Sequence, residues 1–226
     1  MLQICCISDT HGRHTQLDLR PYKADVLVHA GDWTRGDDLG LLETKDFFDW
    51  LILQPFKHKI IIAGNHEVQV EDYPVEFRAL LSQYHTITYL QDSSVVVDGI
   101  KFYGSPYSNE FYNWAFMSSD DELAKLWERI PLDTNILITH GPAYKCHDKV
   151  KNAFGCDPHV GSRSLAKRKK LLRKLDVHIS GHIHEAYGKR VHESVLNVCA
   201  SLLNDSYQLV NAPIIIELNK RINNEK

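Results

Sequence analysis

Five short apolar runs in this chain each break off into a turn that carries aspartate, asparagine or histidine, and this recurrence constrains the fold more than any other feature. Leu2 to Ser8 empties into Asp9-Thr10-His11-Gly12, and Asp25 to Ala30 into Gly31-Asp32-Trp33-Thr34. Ile60 to Ala63 leads to Gly64-Asn65-His66-Glu67, Asn135 to Thr139 to His140-Gly141-Pro142, and Val177 to Ser180 to Gly181-His182-Ile183-His184. Short runs with β-branched residues, closed by turn formers, read as strands. The neighbours Cys5 and Cys6 face opposite sides of the first, which suits a sheet covered on both faces.

Helical patterns lie between these strands, so the class is α/β. Apolar residues at helical spacing run from Asp38 to Leu53 and stop before Pro55, and Pro74 to Tyr84 opens on a proline, where a missing N–H costs least. Ser119 followed by Asp120, Asp121 and Glu122 caps a helix through Arg129, and Ser164 to Lys174 is helical and basic. Asp98-Gly99 between Val95–Val97 and Ile100–Tyr103 is a two-residue hairpin signal. Val195 to Val198 and Ile214 to Leu218 are β-like and are assigned to a second sheet.

In an α/β sheet the space beyond the carboxyl ends of the strands is where ligands bind. Asp9, His11, Asp32, Asn65, His66, His140, His182 and His184 would converge there. In an extended backbone residues two apart project to one side, so His182 and His184 would reach into one space. Oxygen and imidazole donors without thiolates suit Mn, Fe, Zn, Ni or Co. The set is too large for one tetrahedral ion and about right for two metals sharing a carboxylate.

Taken in order, the blocks Asp9-Thr10-His11, Gly31-Asp32, Gly64-Asn65-His66-Glu67, Thr139-His140-Gly141-Pro142 and Gly181-His182-Ile183-His184 resemble the pattern of the calcineurin-like metallophosphoesterase superfamily, over residues 9 to 184. More narrowly, Ser8 to His14, His29 to Asp32, Gly181 to Gly188 and Pro213 to Ile216 look like the class III cyclic nucleotide phosphodiesterase subgroup, which includes the metallophosphoesterase-domain-containing brain proteins. Some of its members carry glycine where this chain has His182 and are poor enzymes; keeping the imidazole favours activity.

The resemblance implies a four-layer α/β/β/α metallophosphoesterase sandwich, with residues 1–226 as one domain. It implies a dinuclear metal-dependent phosphodiesterase that hydrolyses small phosphodiesters, cyclic nucleotides among them, by attack of a metal-bridging hydroxide. Carried over by position, Asp9, His11, Asp32 and His184 would hold one divalent transition metal, and Asp32, Asn65, His140 and His182 the other. Manganese comes first among Mn, Fe, Zn and Co. His66 would serve as an acid or stabilise the phosphoryl oxygens, completing a catalytic set with Asp32 and Asn65. Arg13, His14 and Arg35 lie nearby in sequence and are candidate substrate-binding residues. Alternatives on the same fold are a phosphomonoesterase, a nuclease or a non-catalytic interaction scaffold.

Composition narrows the partners. The 226 residues are 43% hydrophobic, enough for a substantial core, and the formal net charge of -3 argues against binding nucleic acid or an anionic membrane through bulk charge. Five cysteines (Cys5, Cys6, Cys146, Cys156 and Cys199) cannot all pair within one chain and show no Cys-x-x-Cys spacing, so a reducing compartment is expected. With no membrane-length apolar run and no basic leader before the first strand, a cytoplasmic location is expected, and a homodimer is left open. His29, His58, His85, His178 and His192 read as core or surface residues, and His147 and His159 as loop residues. Lys167 to Lys170 read as a solvated helix face. Tyr107, Phe111, Tyr112 and Trp114 could stack a nucleobase or cover a core edge.

Overall fold

Alternation along the first strand separates two interiors. In β1 (Leu2–Ile7) the side chains of Leu2, Ile4 and Cys6 enter one apolar cluster and those of Cys5 and Ile7 another, all of them fully buried. A strand buried on both faces belongs in the middle of a layered structure. The computed structural model describes residues 1–36, 41–151 and 158–219.

β1 is followed by β2 (Val26–His29), α1 (Leu41–Ile52), β3 (His58–Ile61), α2 (Val68–Asp72), α3 (Pro74–Leu81) and β4 (Ile87–Tyr89), each strand pairing in parallel with the one before it. β5 (Ser93–Val97) and β6 (Ile100–Ser105) form an antiparallel hairpin, and β7 (Ser108–Asn109) and β8 (Met117–Ser118) a separate short ladder. Then come α4 (Asp120–Trp127), β9 (Ile136–Thr139), α5 (Arg163–Lys169), β10 (Val177–Ser180), β11 (Gly188–His192), β12 (Val195–Cys199) and β13 (Ile214–Leu218). One sheet has the order β13-β1-β2-β3-β4 and the other β11-β12-β10-β9-β6-β5.

The two sheets face each other. Leu2, Ile4, Val26, Val28 and Ile60 of the first pack against Phe102, Ile136, Ile138, Val177 and Ile179 of the second. On the outer side of the first sheet, Leu27 and Ile61 meet Phe47, Phe48 and Leu51 of α1 and Phe77 of α3. Beyond the second, Tyr103 and Leu137 meet Leu123 and Trp127 of α4 and Leu165 of α5. Burying each such side chain is worth about 1.5–3 kcal/mol, so three apolar seams fix four layers, α/β/β/α, as expected.

Local signals behave as their chemistry requires. Asp98 and Gly99 have φ of 48° and 77°, the left-handed pair that a tight hairpin turn needs. Ser119 caps α4 in a reciprocal arrangement with Glu122. The described part of the first helix begins at Leu41, and the expected start at Asp38 lies outside the described residues. The basic helix is shorter than expected: after Lys169 the chain tightens into i to i+3 hydrogen bonds that bring Leu172 and Leu175 into the outer core. Among the described residues, no helix is long and apolar enough to cross a membrane.

Two expectations are corrected. Ile214 to Leu218 does not join the second sheet; as β13 it pairs antiparallel with β1 at the edge of the first, burying Ile214 and Ile216 between the sheets. Alternating apolar residues fit an edge of either sheet, so the strand itself could not choose. The run Lys167 to Lys170 is not wholly a solvated face, because Lys169 turns inward, where its amine donates to Asn197 Oδ1 and, at 3.0 Å, to His178 Nδ1.

Candidate metal centre

All five turns meet at one rim. β1, β2 and β3 deliver Asp9, His11, Asp32, Asn65 and His66 from the first sheet, and β9 and β10 deliver His140, His182 and His184 from the second. Backbone bonds lace the turns together: Asp9 N donates to Gly31 O (2.9 Å), His11 N to Asp32 O (3.1 Å) and Gly181 N to His140 O (3.0 Å). Asp9, His11, Asp32 and His182 all have left-handed φ, at 53°, 40°, 59° and 69°. Such conformations cost on the order of 1–3 kcal/mol each and persist where surrounding structure holds them, often at functional sites. Each lies within four residues of the end of its strand.

The geometry of the last turn is therefore different from the expected one. His182 is left-handed and His184 begins a single 3-10 turn, so their rings do not converge by strand alternation. They flank Asp9 and His140 instead: His182 Nδ1 lies 3.2 Å from His140 Nε2, and His184 Nε2 3.4 Å from Asp9 Oδ1.

The carboxylates are held before anything binds them. Asp9 accepts from the His182 backbone N–H (3.0 and 3.1 Å), from Ser201 Oγ (2.7 Å) and from Ser8 Oγ. Asp32 Oδ1 accepts from His66 N (2.9 Å), which leaves Oδ2 facing His140 Nε2 at 3.3 Å, His11 Nε2 at 3.8 Å and His66 Nε2 at 4.0 Å. Burial alone would raise both carboxyls. The neighbouring histidines, His184 beside Asp9 and His140 beside Asp32, outweigh it and hold both well below the ordinary carboxylate range.

Four histidine rings have their free nitrogen chosen for them. Nδ1 of His11 donates to Thr34 O (3.1 Å), Nδ1 of His140 to Ala30 O (2.9 Å), Nδ1 of His184 to Asn204 O (2.9 Å) and Nδ1 of His66 to Arg35 O (2.7 Å). A carbonyl can only accept, so in each ring Nε2 is the atom turned to the centre. Burial pushes His11 and His182 down to about 4. Burial also opposes charge on His140 and His184, but Asp32 and Asp9 respectively override it and raise each to about 9.

The donor atoms fit cations. His11 Nε2 and His184 Nε2 stand 3.3 Å apart, and His140 Nε2 lies 2.9 Å from Asn65 Oδ1 and 3.2 Å from His182 Nδ1. With ligand bonds near 2.1 Å, the edges of a tetrahedral or octahedral shell measure roughly 3.0–3.4 Å, so these are the separations a shared ion would impose. Among the described residues, three groups have donor atoms within 4.8 Å of one another: Asp9, His11 and His184; His11, Asp32 and His66; and Asp32, His140 and His182. Asp32 belongs to two of them.

Around this core the candidates for substrate contact divide. Arg13 and Arg35 line a cleft of about 480 Å³ together with His11. His14 does not reach it, which corrects its expected role. It is 1% exposed, its Nε2 is 3.0 Å from Asp46 Oδ2, and its ring packs against Phe47 and Trp50. A second cleft, about 710 Å³, opens over Asp32, Asn65, His66, His182 and His184 between the aromatic segment 111–114 and the loop after His140. His29 and His178 are buried away from solvent, His147 Nδ1 donates to Ala186 O, and His159 pairs with Asp148 at 2.7 Å.

Sequence reasoning missed two supports, Glu67 and Tyr207, and gave Trp114 a different partner. Glu67 is buried and accepts from the N–H groups of Asp32 (2.8 Å), Thr34 (2.9 Å) and Gly64 (2.6 Å), tying two turns together. Burial and the charge of Asp32 raise its carboxyl to about 7 against those donors. Its place at the end of Gly64-Asn65-His66-Glu67 was the available signal. Trp114 stacks on His66, with ring centroids 4.5 Å apart. Tyr207 sits edge-on to His11 and His184 at 5.0 and 5.2 Å, and nothing in its sequence neighbourhood pointed to it.

Comparison with known proteins gives a consistent result. A family model described as "Calcineurin-like phosphoesterase" matches residues 2–186. The chain is 37% identical to "Metallophosphoesterase domain-containing protein 1" of Homo sapiens, over 94% of this chain and 70% of that protein. Among solved structures it is similar to TT1561 of Thermus thermophilus, with a TM-score of 0.63, 15% identity and 88% of each chain covered. It is also similar to a dimetal phosphatase from Danio rerio, with a TM-score of 0.55 and 14% identity over 90% of this chain and 87% of that one.

Proposed function

Because the chain belongs to the calcineurin-like phosphoesterase family, we propose that it is a dinuclear metal-dependent phosphodiesterase acting on small phosphodiesters, cyclic nucleotides among them, with manganese as its first metal. The observation that carries the reading is that Asp32 presents one oxygen to donor groups on both of its sides, in two of the three close sets. Asp9, His11, Asp32 and His184 would hold one cation, and Asp32, Asn65, His140 and His182 the other, within one domain spanning residues 1–226. When bound, two such cations offset the charge of the phosphate and lower the pKa of water toward neutrality.

The protein's own residues supply the remainder. His66 donates Nδ1–H to Arg35 O and presents Nε2 beside Asp32, while Trp114 holds the ring plane. Protonated on Nε2, His66 would give that proton to the departing ester oxygen as its P–O bond breaks, opposite the water oxygen that forms the new P–O bond and releases its own proton to solvent. The buried carboxylates Asp9 and Asp32 are charged at neutral pH and are matched by protons on His184 and His140, which arriving cations would displace. Two clefts open on the donor cluster, so a phosphate with substituents on both sides fits, which favours a diester.

Hydrolysis of bis(p-nitrophenyl) phosphate is expected with added Mn²⁺ and is expected to vanish on exhaustive chelation and return on metal repletion. Rates that survive chelation would overturn the metal assignment. Competition among a nucleotide monoester, a cyclic nucleotide and single-stranded DNA at equal concentration separates a phosphodiesterase from a phosphomonoesterase or nuclease on the same site.

A further inference from the structure

Among the described residues, the two clefts that open on the donor cluster share His11 and Tyr207 alone, and their linings differ in kind. The larger presents three solvent-facing aromatic residues: Phe111 is 63% exposed, Tyr112 75% and Trp114 37%. Flat apolar faces left in water beside a site are ready to stack a ring. Besides Asp32 of the donor cluster, two carboxylates, Glu110 and Glu185, line this cleft among the described residues, against one lysine, Lys151. The smaller cleft carries Arg13 and Arg35 and, among the described residues, no carboxylate in its lining. Glu43 holds Arg35 by accepting from its backbone N–H (2.9 Å), with the guanidinium Nε at 3.6 Å. Among the described residues the Arg13 side chain has no ion pair.

Tyr207 stands where the clefts meet, with its ring against His11 and His184. A tyrosine at φ 56° is a strained placement that its loop enforces. Tyr207 N donates to Asn204 O (2.9 Å), while Asn204 Oδ1 accepts from Ser206 N (3.0 Å) and Gln208 N (2.9 Å). The Asn204 carbonyl also fixes His184, so the loop that orients a proposed metal ligand also positions the divider.

We propose that the site selects phosphodiesters with two unlike arms, an aromatic group lodged in the cleft of Phe111, Tyr112 and Trp114 and an anionic group held by Arg13 and Arg35, with Tyr207 keeping the arms apart. The inference rests on the phosphodiesterase reading and adds a substrate class to it. Charge sets the direction of binding: carboxylates in the aromatic cleft repel a second anion, and guanidinium groups in the other attract it.

Three p-nitrophenyl phosphodiesters that share the aromatic arm test this, the second arm being 2-carboxyethyl, propyl or choline. On the Mn²⁺-supplied protein, kcat/KM is expected to fall in that order, by about tenfold from first to last and mainly through KM. Arg13→Glu is expected to reverse the order. Tyr207→Ala, which joins the clefts, is expected to erase it, while Tyr207→Phe keeps it. Equal kcat/KM for the three esters on the wild-type protein, or an unchanged order in Arg13→Glu, overturns the arm assignment and leaves the phosphodiesterase reading standing. No release from any of the three overturns that reading and this inference with it.

Discussion

Strands β9 and β10 each feed two buried polar clusters, and the clusters behave differently. Thr139 and His178 enter one, beneath α5; His140 and His182, one and four positions further along, enter the other, at the rim. In the first, His178 Nε2 donates to Thr139 Oγ1 at 2.8 Å and Nδ1 accepts from the Lys169 amine, while Thr139 Oγ1 donates to Gly141 O at 2.6 Å and Asn197 Nδ2 to Val195 O at 2.8 Å. Donor meets acceptor at every step. In the second, Nε2 of His11 and Nε2 of His184, whose Nδ1 atoms are already committed to carbonyls, face each other at 3.3 Å. Two such nitrogens can be joined only by a proton or a cation between them. Burial and histidine content are common to both clusters; what distinguishes a candidate metal centre is ring nitrogens that meet one another and two buried carboxylates, where the first cluster offers hydroxyls, amides and carbonyls.

The largest effect should come from removing the shared oxygen. Asp32→Ala is expected to lose at least one metal equivalent by elemental analysis and roughly 10⁴ or more in rate on bis(p-nitrophenyl) phosphate. Full metal content and rate in this variant would erase the distinction between the clusters. His66→Ala is expected to keep both metals and lower kcat by roughly 10² to 10⁴, as for a positioned proton donor. Loss of metal there would move His66 into the ligand set.

The matched cluster should answer with stability and not with rate. Burial holds the Lys169 amine at about 8, against an ordinary value of 10.5, despite Cys146 and Glu193. A lysine depressed in the folded state binds fewer protons there than in the unfolded chain between those two values, so its penalty is full below pH 8 and fades as pH rises to 10.5. Relative to Lys169→Met, the wild-type protein is therefore expected to gain on the order of 3 kcal/mol across that window. Denaturant unfolding of both proteins at pH 7.5 and 10.5 checks this, with phosphodiester turnover at pH 7.5 expected within about twofold. A stability difference that stays flat with pH would place the amine in water.

Much of the fold was legible because its signals are local. Asp98-Gly99, Ser119 with Glu122, and the five apolar runs each state a backbone preference within a few residues. The sheet that receives Ile214 to Leu218 was not legible, since alternation describes a face and not a neighbour. His14 shows the same limit at the site: its block suggested a phosphate contact, but the turn carries its ring onto Phe47 and Trp50. Tyr207 reaches His11 across nearly the whole chain, and no periodicity records such a contact.

The kinds of donor, and their recurrence just past five strands, were determined by the sequence alone, because strand ends and turn chemistry are set by neighbouring residues. Which atom of each ring faces the centre was decided only by tertiary structure. The carbonyl that fixes His140 lies 110 residues away in Ala30, the one for His184 20 residues away in Asn204, and the one for His11 23 away in Thr34. A neutral imidazole offers its lone pair on whichever nitrogen is not donating, and only the folded chain determines where that donation goes.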